Sequence, residues 1–229
     1  MFRNLKALIA ALLALAAIGA VSASGADAAF EFHCSVEPCR FTAKPDGTGK
    51  ASHHVFIIEN SLTTESVSFT CPEITGEGSS AKNASTATLE NIKYPSTEKS
   101  GCTVNGSPGV EVKMNGCKYK LSSSGSVSIV GCNLGEKIEI KVAPLGCVFF
   151  VREQLAVNSA FFHTAGGAPL REVTVETGGL SAHLTVSVTT NGLCGSLITS
   201  STLTGTYTTG NTLFTGETTA GVMGEAWWE

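Results

Sequence analysis

The sequence predicts an exported all-β protein, an antiparallel β-sandwich that is stapled by disulfide bonds and preceded by a cleaved signal helix. Three observations point to this fold class: an apolar leader, eight cysteines, and many short segments in which apolar and polar residues alternate. Alternation with a period of two is typical of strands that bury one face. Two packed sandwiches are the alternative within the same class, because about a dozen short strands are expected.

The leader is predicted to occupy residues 1–28. Arg3 and Lys6 precede an uninterrupted apolar stretch over residues 7–20, and small residues follow up to Ala28. This order is typical of a secretory signal peptide. An apolar run of about 14 residues is shorter than the roughly 20 of a membrane-spanning helix, and no later segment matches it. We therefore expect a secreted or envelope-associated chain with no transmembrane segment after cleavage, in preference to a buried N-terminal helix.

Charge is modest and scattered along the chain. There are 15 Lys and Arg against 19 Asp and Glu, a formal net charge of −4, without a cluster of basic residues. Binding to a phosphate backbone depends on grouped Lys and Arg. The composition therefore argues against a nucleic-acid partner and leaves a cell-wall glycan or another secreted protein as the expected partner.

The cysteines predict a disulfide framework, because an even number in an exported chain usually pairs. We expect sequence neighbours to pair: Cys34 with Cys39, Cys71 with Cys102, Cys117 with Cys132, and Cys147 with Cys194. The alternative is a metal site built from His33, Cys34 and Cys39. That set lacks the two-residue spacing that zinc knuckles favour, so no metal is expected.

Four Gly-Cys pairs recur every fifteen residues, at Gly101-Cys102, Gly116-Cys117, Gly131-Cys132 and Gly146-Cys147. A fixed period can indicate a solenoid. The residues between the pairs do not repeat in kind, and two of the junctions have the features of hairpin exits. We therefore favour a β-meander, in which consecutive strands pair, over a solenoid.

Residues 110–121 carry the strongest local signal. Asn115-Gly116 separates two alternating runs, and both central residues of a type I′ turn need the positive φ that Asn and Gly tolerate. A two-residue hairpin would place three apolar pairs on one buried face: Val110 with Leu121, Val112 with Tyr119, and Met114 with Cys117. Its other face would set Glu111 opposite Lys120.

A second hairpin is expected over residues 138–151, with a longer loop at residues 143–146. Its register would pair Ile138 with Val151, Ile140 with Phe149, and Val142 with Cys147. The link after residue 121 needs an odd-length loop or a bulge to keep Val127 and Ile129 on the core side.

Further strands are predicted at residues 54–58, 67–69, 86–94, 155–162, 172–177, 183–189, 193–198 and 202–218. Clusters of Gly, Pro and Ser separate them. We divide the mature chain into a disulfide-rich β-domain over residues 29–150 and a Thr- and Gly-rich β-region over residues 151–229 that packs on it. A Cys147–Cys194 bond would cross this boundary.

Motif searches give neither a catalytic residue nor a cofactor site. Residues 45–51 are similar to a phosphate-binding loop, but Lys44 stands where the first glycine belongs and Ala51 replaces the hydroxyl residue. We interpret the segment as a turn. The nucleophile elbow and the zinc-binding helix motif do not occur in the sequence. These observations favour a role without catalysis.

Histidines and acidic pairs are the remaining candidates for chemistry. Adjacent His53 and His54 would point to opposite faces of a strand, so they do not form a simple metal pair. The pairs Glu73 with Glu77 and Glu172 with Glu176 would serve glycoside hydrolysis only at the right carboxylate separation. We interpret these pairs as solvated surface. A secreted hydrolase with a non-standard acidic or histidine site is kept as the alternative function.

Trp227 and Trp228 are the candidate contact residues. Tandem tryptophans can stack on sugar rings or lie at a lipid interface. They can also cap the end of a sandwich, and the sequence leaves both interpretations open.

Five short motifs carry a resemblance, chiefly over residues 30–150: Ser52-His53-His54-Val55-Phe56, Ser68-Phe69-Thr70-Cys71, Ser100-Gly101-Cys102-Thr103, Met114-Asn115-Gly116-Cys117-Lys118-Tyr119 and Val127-Ser128-Ile129-Val130. In these motifs the chain resembles a group of uncharacterised secreted bacterial proteins. The motifs are turns and cysteine positions, so the resemblance implies an extracellular β fold and carries over no active site. The leader, the cysteines and the strand pattern together predict a secreted structural or binding protein of the cell envelope or extracellular space.

Overall fold

The computed structural model describes residues 31–45, 54–60, 66–95, 101–165, 171–177, 184–188, 203–219, 222–224 and 226–228. Five sequence predictions lie wholly or mostly outside these residues: the signal peptide at residues 1–28, the turn at residues 45–51, of which only Pro45 is described, His53, the strand at residues 193–198, and Cys194.

Within the described residues the chain forms eighteen strands and one short 3₁₀ turn at Ala143–Leu145. The strands are, in chain order, β1 (Phe32–Cys34), β2 (Cys39–Pro45), β3 (His54–Asn60), β4 (Ser66–Cys71), β5 (Thr75–Ser80), β6 (Thr86–Lys93), β7 (Cys102–Val104), β8 (Ser107–Lys113), β9 (Lys118–Ser122), β10 (Ser126–Val130), β11 (Ile138–Val142), β12 (Cys147–Val151), β13 (Gln154–Ala165), β14 (Glu172–Thr177), β15 (Leu184–Val188), β16 (Leu203–Thr219), β17 (Val222–Gly224) and β18 (Ala226–Trp228).

The pairings close two rings of eight antiparallel strands that share β16. The first ring runs through β2, β5, β6, β9, β10, β13, β14 and the later part of β16. The second ring runs through β3, β4, β7, β8, β11, β12, β15 and the earlier part of β16. An all-β, antiparallel, disulfide-stapled sandwich is therefore confirmed, with two packed units in the form of these rings.

The chain alternates between the rings two strands at a time. The pair β3 and β4 belongs to the second ring, β5 and β6 to the first, β7 and β8 to the second, and so on to β16. The favoured β-meander is therefore correct only within each pair of strands. Three of the four periodic Gly-Cys pairs lie where the chain crosses between rings, and Gly146-Cys147 lies in a hairpin turn.

The hairpin over residues 138–151 has the predicted register. Ile138 lies opposite Val151, Ile140 opposite Phe149, and Val142 opposite Cys147. The inward residues of both strands are buried. Gly146 ends the turn at a φ of 64°, a left-handed conformation that glycine adopts at little cost.

The hairpin over residues 110–121 is wrong in its pairing but correct in its turn. Asn115 and Gly116 have φ values of 49° and 79°, and the Cys117 amide donates to the Met114 carbonyl at 2.9 Å, as a type I′ turn requires. The flanking strands then separate. β8 pairs with β7 and β11 in the second ring, whereas β9 pairs with β6 and β10 in the first.

The two strands separate because each finds apolar cross-strand partners in a different ring. Val110 lies opposite Val142 and Cys102, and Leu121 lies opposite Ala87 and Val127. Each strand thus finds apolar partners on two sides within its own ring, which a lone hairpin would not supply. For the same reason Glu111 lies opposite Lys141 and not Lys120.

The link between β9 and β10 is an odd-length loop, as predicted. Leu121 lies opposite Val127 and Tyr119 opposite Ile129, so three residues, 123–125, form the turn. Gly125 has a φ of 79° there and donates its amide to the Ser122 carbonyl at 2.9 Å.

Three of the predicted disulfides are confirmed: Cys34–Cys39, Cys71–Cys102 and Cys117–Cys132. Cys147 is also disulfide-bonded, and its pairing with Cys194 stays a prediction because Cys194 is outside the described residues. Cys71–Cys102 joins the end of β4 to the start of β7. It therefore ties together the places where the chain leaves and re-enters the second ring.

The inward faces of both rings contribute to one apolar core. In the second ring, the Phe69 and Phe149 rings meet edge to face with centroids 5.3 Å apart. In the first ring, Phe41 lies opposite Gly78 on the neighbouring strand. The boundary that we predicted near residue 150 falls in the link between β12 and β13, and the strands after it pair with earlier strands in both rings.

Candidate functional site

Three links between the rings meet at one place, which we call the crossing region: residues 114–117, 131–137 and 152–153. The Cys117–Cys132 bond joins the first two links. The Asn115 side-chain amide donates to the Lys137 carbonyl at 2.8 Å, and the Cys132 amide donates to the Glu153 carboxylate at 2.7 Å. One disulfide and two hydrogen bonds therefore hold the three links together.

Two large apolar side chains are exposed at this place, Leu134 within the crossing region and Leu155 just after it, near the start of β13. Leu134 is 103% exposed and Leu155 is 79% exposed. Leu134 is two residues after Cys132, and Leu155 is two residues after Glu153. Cys132 and Glu153 are joined by the hydrogen bond described above. We call this pair the exposed leucines.

Local backbone structure holds both leucines outward. Leu134 lies in a tight turn in which the Glu136 amide donates to the Asn133 carbonyl at 2.7 Å and Gly135 has a φ of 78°. Leu155 begins a bulge of β13, where residues 155–157 lie opposite the single residue Ser128.

Ala156, the centre of this bulge, has a φ of 51°. A non-glycine residue in the left-handed region costs about 1–2 kcal/mol. The Ala156 amide donates to the Ser128 hydroxyl at 3.0 Å, which offsets part of that cost. Strained backbone of this kind is often retained where it positions a functional side chain.

Several charged groups near the exposed leucines are engaged within the chain, whereas Glu136 and Arg152 are exposed. The Lys137 ammonium lies 4.9 Å from the centre of the Phe150 ring, a favourable cation–π arrangement. Lys118 forms an ion pair with Glu90, and Glu153 accepts the Cys132 amide. Because Glu136 and Arg152 carry opposite charges, the crossing region presents apolar contact area without an excess of charge of either sign.

The predicted contact residues Trp227 and Trp228 lie in β18. This strand pairs with β1, so that Trp228 is opposite Phe32 and Trp227 opposite His33. The Ala226 amide donates to the Arg171 carbonyl at 3.0 Å, and the Cys34–Cys39 bond ties β1 to β2. The backbone at both tryptophans is thus held by strand pairing with β1.

A recess lies against β1 and β18, lined by residues that include Phe32, Arg40, Ser80 and Val173. Its volume for water-sized spheres is about 10 Å³, which is about what one water molecule requires.

Buried polar groups lie between the rings. His54 is 1% exposed, and its ring meets the Tyr94 ring edge to face with centroids 6.0 Å apart. The Tyr94 and Tyr119 hydroxyls are 2.8 Å apart. Burial, the nearby Tyr94 hydroxyl and the hydrogen bond to it raise the pKa of Tyr119 well above its ordinary value.

This pKa shift predicts a loss of stability in alkali. Above about pH 10 the unfolded chain releases the Tyr119 proton while the folded chain keeps it, so stability falls by up to about 1.4 kcal/mol per pH unit. At neutral pH the free energy of unfolding of the wild type should be about 1 kcal/mol higher than that of Tyr119→Phe, because the variant lacks one hydrogen bond. Urea unfolding at a series of pH values from neutral to strongly alkaline should show this difference in the free energy of unfolding becoming smaller. A difference that stays constant with pH would contradict the raised pKa of Tyr119.

The acidic residues Glu73 and Glu77 are exposed, as expected for solvated surface. Glu77 lies opposite Glu90 on β6, and its carboxylate accepts the Asn91 amide at 2.9 Å. Glu172 lies 3.9 Å from the Lys44 ammonium. Glu172 is partly exposed, and the side chain of Glu176 lies outside the part of the chain that the structure describes.

The alternative metal site at residues 33–39 is wrong, because the sulfur atoms of Cys34 and Cys39 are bonded to each other. Across the described part of the chain, no group of three or more His, Cys, Asp or Glu side chains is placed to hold a metal ion. No helix among the described residues has the length and apolar character needed to cross a membrane.

Comparisons with family models, curated proteins and solved structures give no match to this chain.

Sequence reasoning missed the exposed leucines. A single leucine between polar residues carries no periodic signal, and Leu155 was placed at the start of a regular strand. The bulge at Ala156 depends on how β10 and β13 meet, which the local sequence does not encode. The only local signal for Leu134 is the glycine that follows it, which is typical of a turn.

Proposed function

We propose that the chain is a secreted binding or structural protein of the cell envelope or extracellular space that works through surface contacts. The leader sequence and the resemblance to secreted bacterial proteins support export. Three disulfides among the described residues suit an oxidising compartment. The observation that carries the binding role is the pair of exposed leucines at the stapled crossing region.

Exposed leucines beside these crosslinks favour binding for an energetic reason. Burying one leucine side chain is worth about 1.5–3 kcal/mol, and a preorganised surface loses little conformational entropy when a partner covers it. The strain at Ala156 would be retained if it kept Leu155 available to a partner.

The chemistry of this surface favours another secreted protein with an apolar recess. Lys137 and Lys118 are engaged within the chain, and the exposed Arg152 is offset by the exposed Glu136, so an anionic surface would find little net cationic attraction. A cell-wall glycan is the second candidate partner, and Trp227 and Trp228 would then be the contact residues.

Retention experiments test the proposal. Immobilised protein is offered total secreted protein and, separately, purified wall polysaccharide. We expect retention of a defined secreted protein. The double variant Leu134→Ser with Leu155→Ser should bind it at least about a hundredfold more weakly, since about 1.4 kcal/mol is a factor of ten and each leucine contact is worth about 1.5 kcal/mol or more. Val36→Ser is the matched control, because Val36 is also exposed, at 38%, but lies in the β1–β2 loop.

Three outcomes would count against the proposal as stated. Equal retention by wild type and the leucine double variant would remove the exposed leucines from the contact. Retention on polysaccharide that Trp228→Ala abolishes would assign the contact to β18. Turnover of a glycoside, ester or peptide substrate that a single carboxylate or histidine substitution abolishes would favour the hydrolase.

A further inference from the structure

We propose that Asn105 is a site of slow spontaneous modification, deamidation to aspartate and isoaspartate, and that the fold protects the equivalent Asn115. Both asparagines precede a glycine in a tight turn, Asn105-Gly106 and Asn115-Gly116. Both have left-handed backbone conformations, with φ values of 47° and 49°. Any difference in their reactivity must therefore come from the surroundings that the fold gives them.

The reaction needs a following residue that leaves its backbone nitrogen accessible. The Gly106 nitrogen attacks Cγ of Asn105, a nitrogen–carbon bond forms, and the Cγ–Nδ2 bond breaks. Ammonia leaves with the proton from the Gly106 nitrogen, and a five-membered succinimide remains. Water then opens this ring at either carbonyl, which yields aspartate or, with the main chain rerouted through the side chain, isoaspartate.

The surroundings of Asn105 favour this attack. Asn105 and Gly106 are both exposed, and no atom lies within 4 Å of the position that a Cβ on Gly106 would occupy. The Ser68 amide donates to Oδ1 of Asn105 at 3.2 Å. A donor at this oxygen stabilises the negative charge that develops there when Cγ is attacked, as an oxyanion hole does.

The surroundings of Asn115 oppose it. The leaving nitrogen, Nδ2, donates to the Lys137 carbonyl at 2.8 Å, so the amide must first give up a hydrogen bond. Gly116 is exposed, but Asn115 is only partly so, and the Asn133 side chain lies beside Gly116, where it would be 2.4–3.0 Å from a Cβ at residue 116. The adjacent Cys117–Cys132 bond restrains the backbone rotation that ring closure requires.

Modification at Asn105 would loosen one end of the second ring. The Asn105 amide donates to the Ser68 carbonyl at 2.9 Å, so this residue anchors the β7–β8 turn to β4 through two hydrogen bonds. Isoaspartate adds a methylene group to the main chain of a turn that pairs Val104 with Ser107. The product would therefore lose the anchor, gain a negative charge, and mark molecules by age in an extracellular setting.

Site-resolved peptide mapping tests the proposal. The oxidised, folded protein and the reduced, urea-denatured chain are incubated side by side in mildly alkaline buffer. Peptides that contain Asn105 or Asn115 are then analysed for the exchange of an amide for an acid and for isoaspartate. The denatured chain is the control, because both sites have the same following residue there.

We expect similar rates at the two sites in the denatured chain. In the folded protein Asn105 should react about tenfold faster than Asn115, because a factor of ten corresponds to about 1.4 kcal/mol, the upper end of what one net hydrogen bond contributes. Asn105→Gln should remove the modification at that turn, because glutamine would have to close a less favourable six-membered ring. Equal rates in the folded protein, protection of both sites, faster reaction at Asn115, or a tenfold difference already present in the denatured chain would each overturn the proposal.

Discussion

Replacing Cys71 and Cys102 together by alanine should lower the free energy of unfolding by about 4 kcal/mol. The bond closes a loop with a sequence separation of 31 residues, and the chain-entropy argument assigns about that amount to a loop of this length. Both cysteines are almost fully buried, at 0% and 1% exposure, so the side-chain replacement itself is small. Against a typical stability of about 5–15 kcal/mol, this loss decides whether the second ring persists.

The other two bonds provide a graded comparison. Their sequence separations are 15 for Cys117–Cys132 and 5 for Cys34–Cys39. The same argument predicts losses of about 3 and about 2 kcal/mol for the corresponding double variants. Urea unfolding of the three variants under non-reducing conditions should give this order. A larger loss for Cys34–Cys39 than for Cys71–Cys102 would show that the bonds do not act by restricting the unfolded chain.

Gly78→Ala should destabilise the first ring by about 3 kcal/mol or more. Gly78 lies opposite Phe41 in the β2–β5 pair, and a Cβ on Gly78 would overlap the Phe41 ring. Both residues are buried, so the ring cannot swing into solvent without exposing the core. Overpacking of a filled core costs about 1–3 kcal/mol and sometimes more.

A double-mutant cycle isolates this contact. Phe41→Ala alone should cost about 3–5 kcal/mol, because it empties part of the core. In the Phe41→Ala background, Gly78→Ala should cost well under 1 kcal/mol, since nothing is left to overlap. The exposed neighbour Ser79 supplies the control, Ser79→Ala, with an effect within about 0.5 kcal/mol. Additive costs at residues 41 and 78 would contradict the packing described.

Local patterns predicted the strands well where partner strands are adjacent in sequence. The hairpin of β11 and β12 was predicted in full register, because its apolar residues alternate without interruption and its loop ends in glycine. Strand β14 was predicted with its bounds at residues 172–177. The neighbour pairing of cysteines also held for three bonds.

Patterns that depend on distant partners were not predictable in the same way. β5 has the sequence Thr-Gly-Glu-Gly-Ser-Ser, which shows no apolar alternation. It forms a strand because β2 and β6 supply partners on both sides and because Gly78 leaves space for the Phe41 ring.

At Asn115-Gly116 the local turn was predicted correctly, but the strands that pair on either side of it were not. Its residues specify positive φ and a reversal of the chain, but they do not specify which strands lie beside β8 and β9. That choice depends on Val142, Cys102, Ala87 and Val127, which are distant in sequence. The exposed leucines escaped prediction for the same reason, since their exposure arises from how the two rings are joined.

Cross-strand nuclear Overhauser contacts of Val110 and Leu121 test the two-ring architecture most directly. The structure predicts contacts of Val110 with Val142 and Cys102, and of Leu121 with Ala87 and Val127. A contact between Val110 and Leu121 across a simple hairpin, with the other four absent, would contradict it.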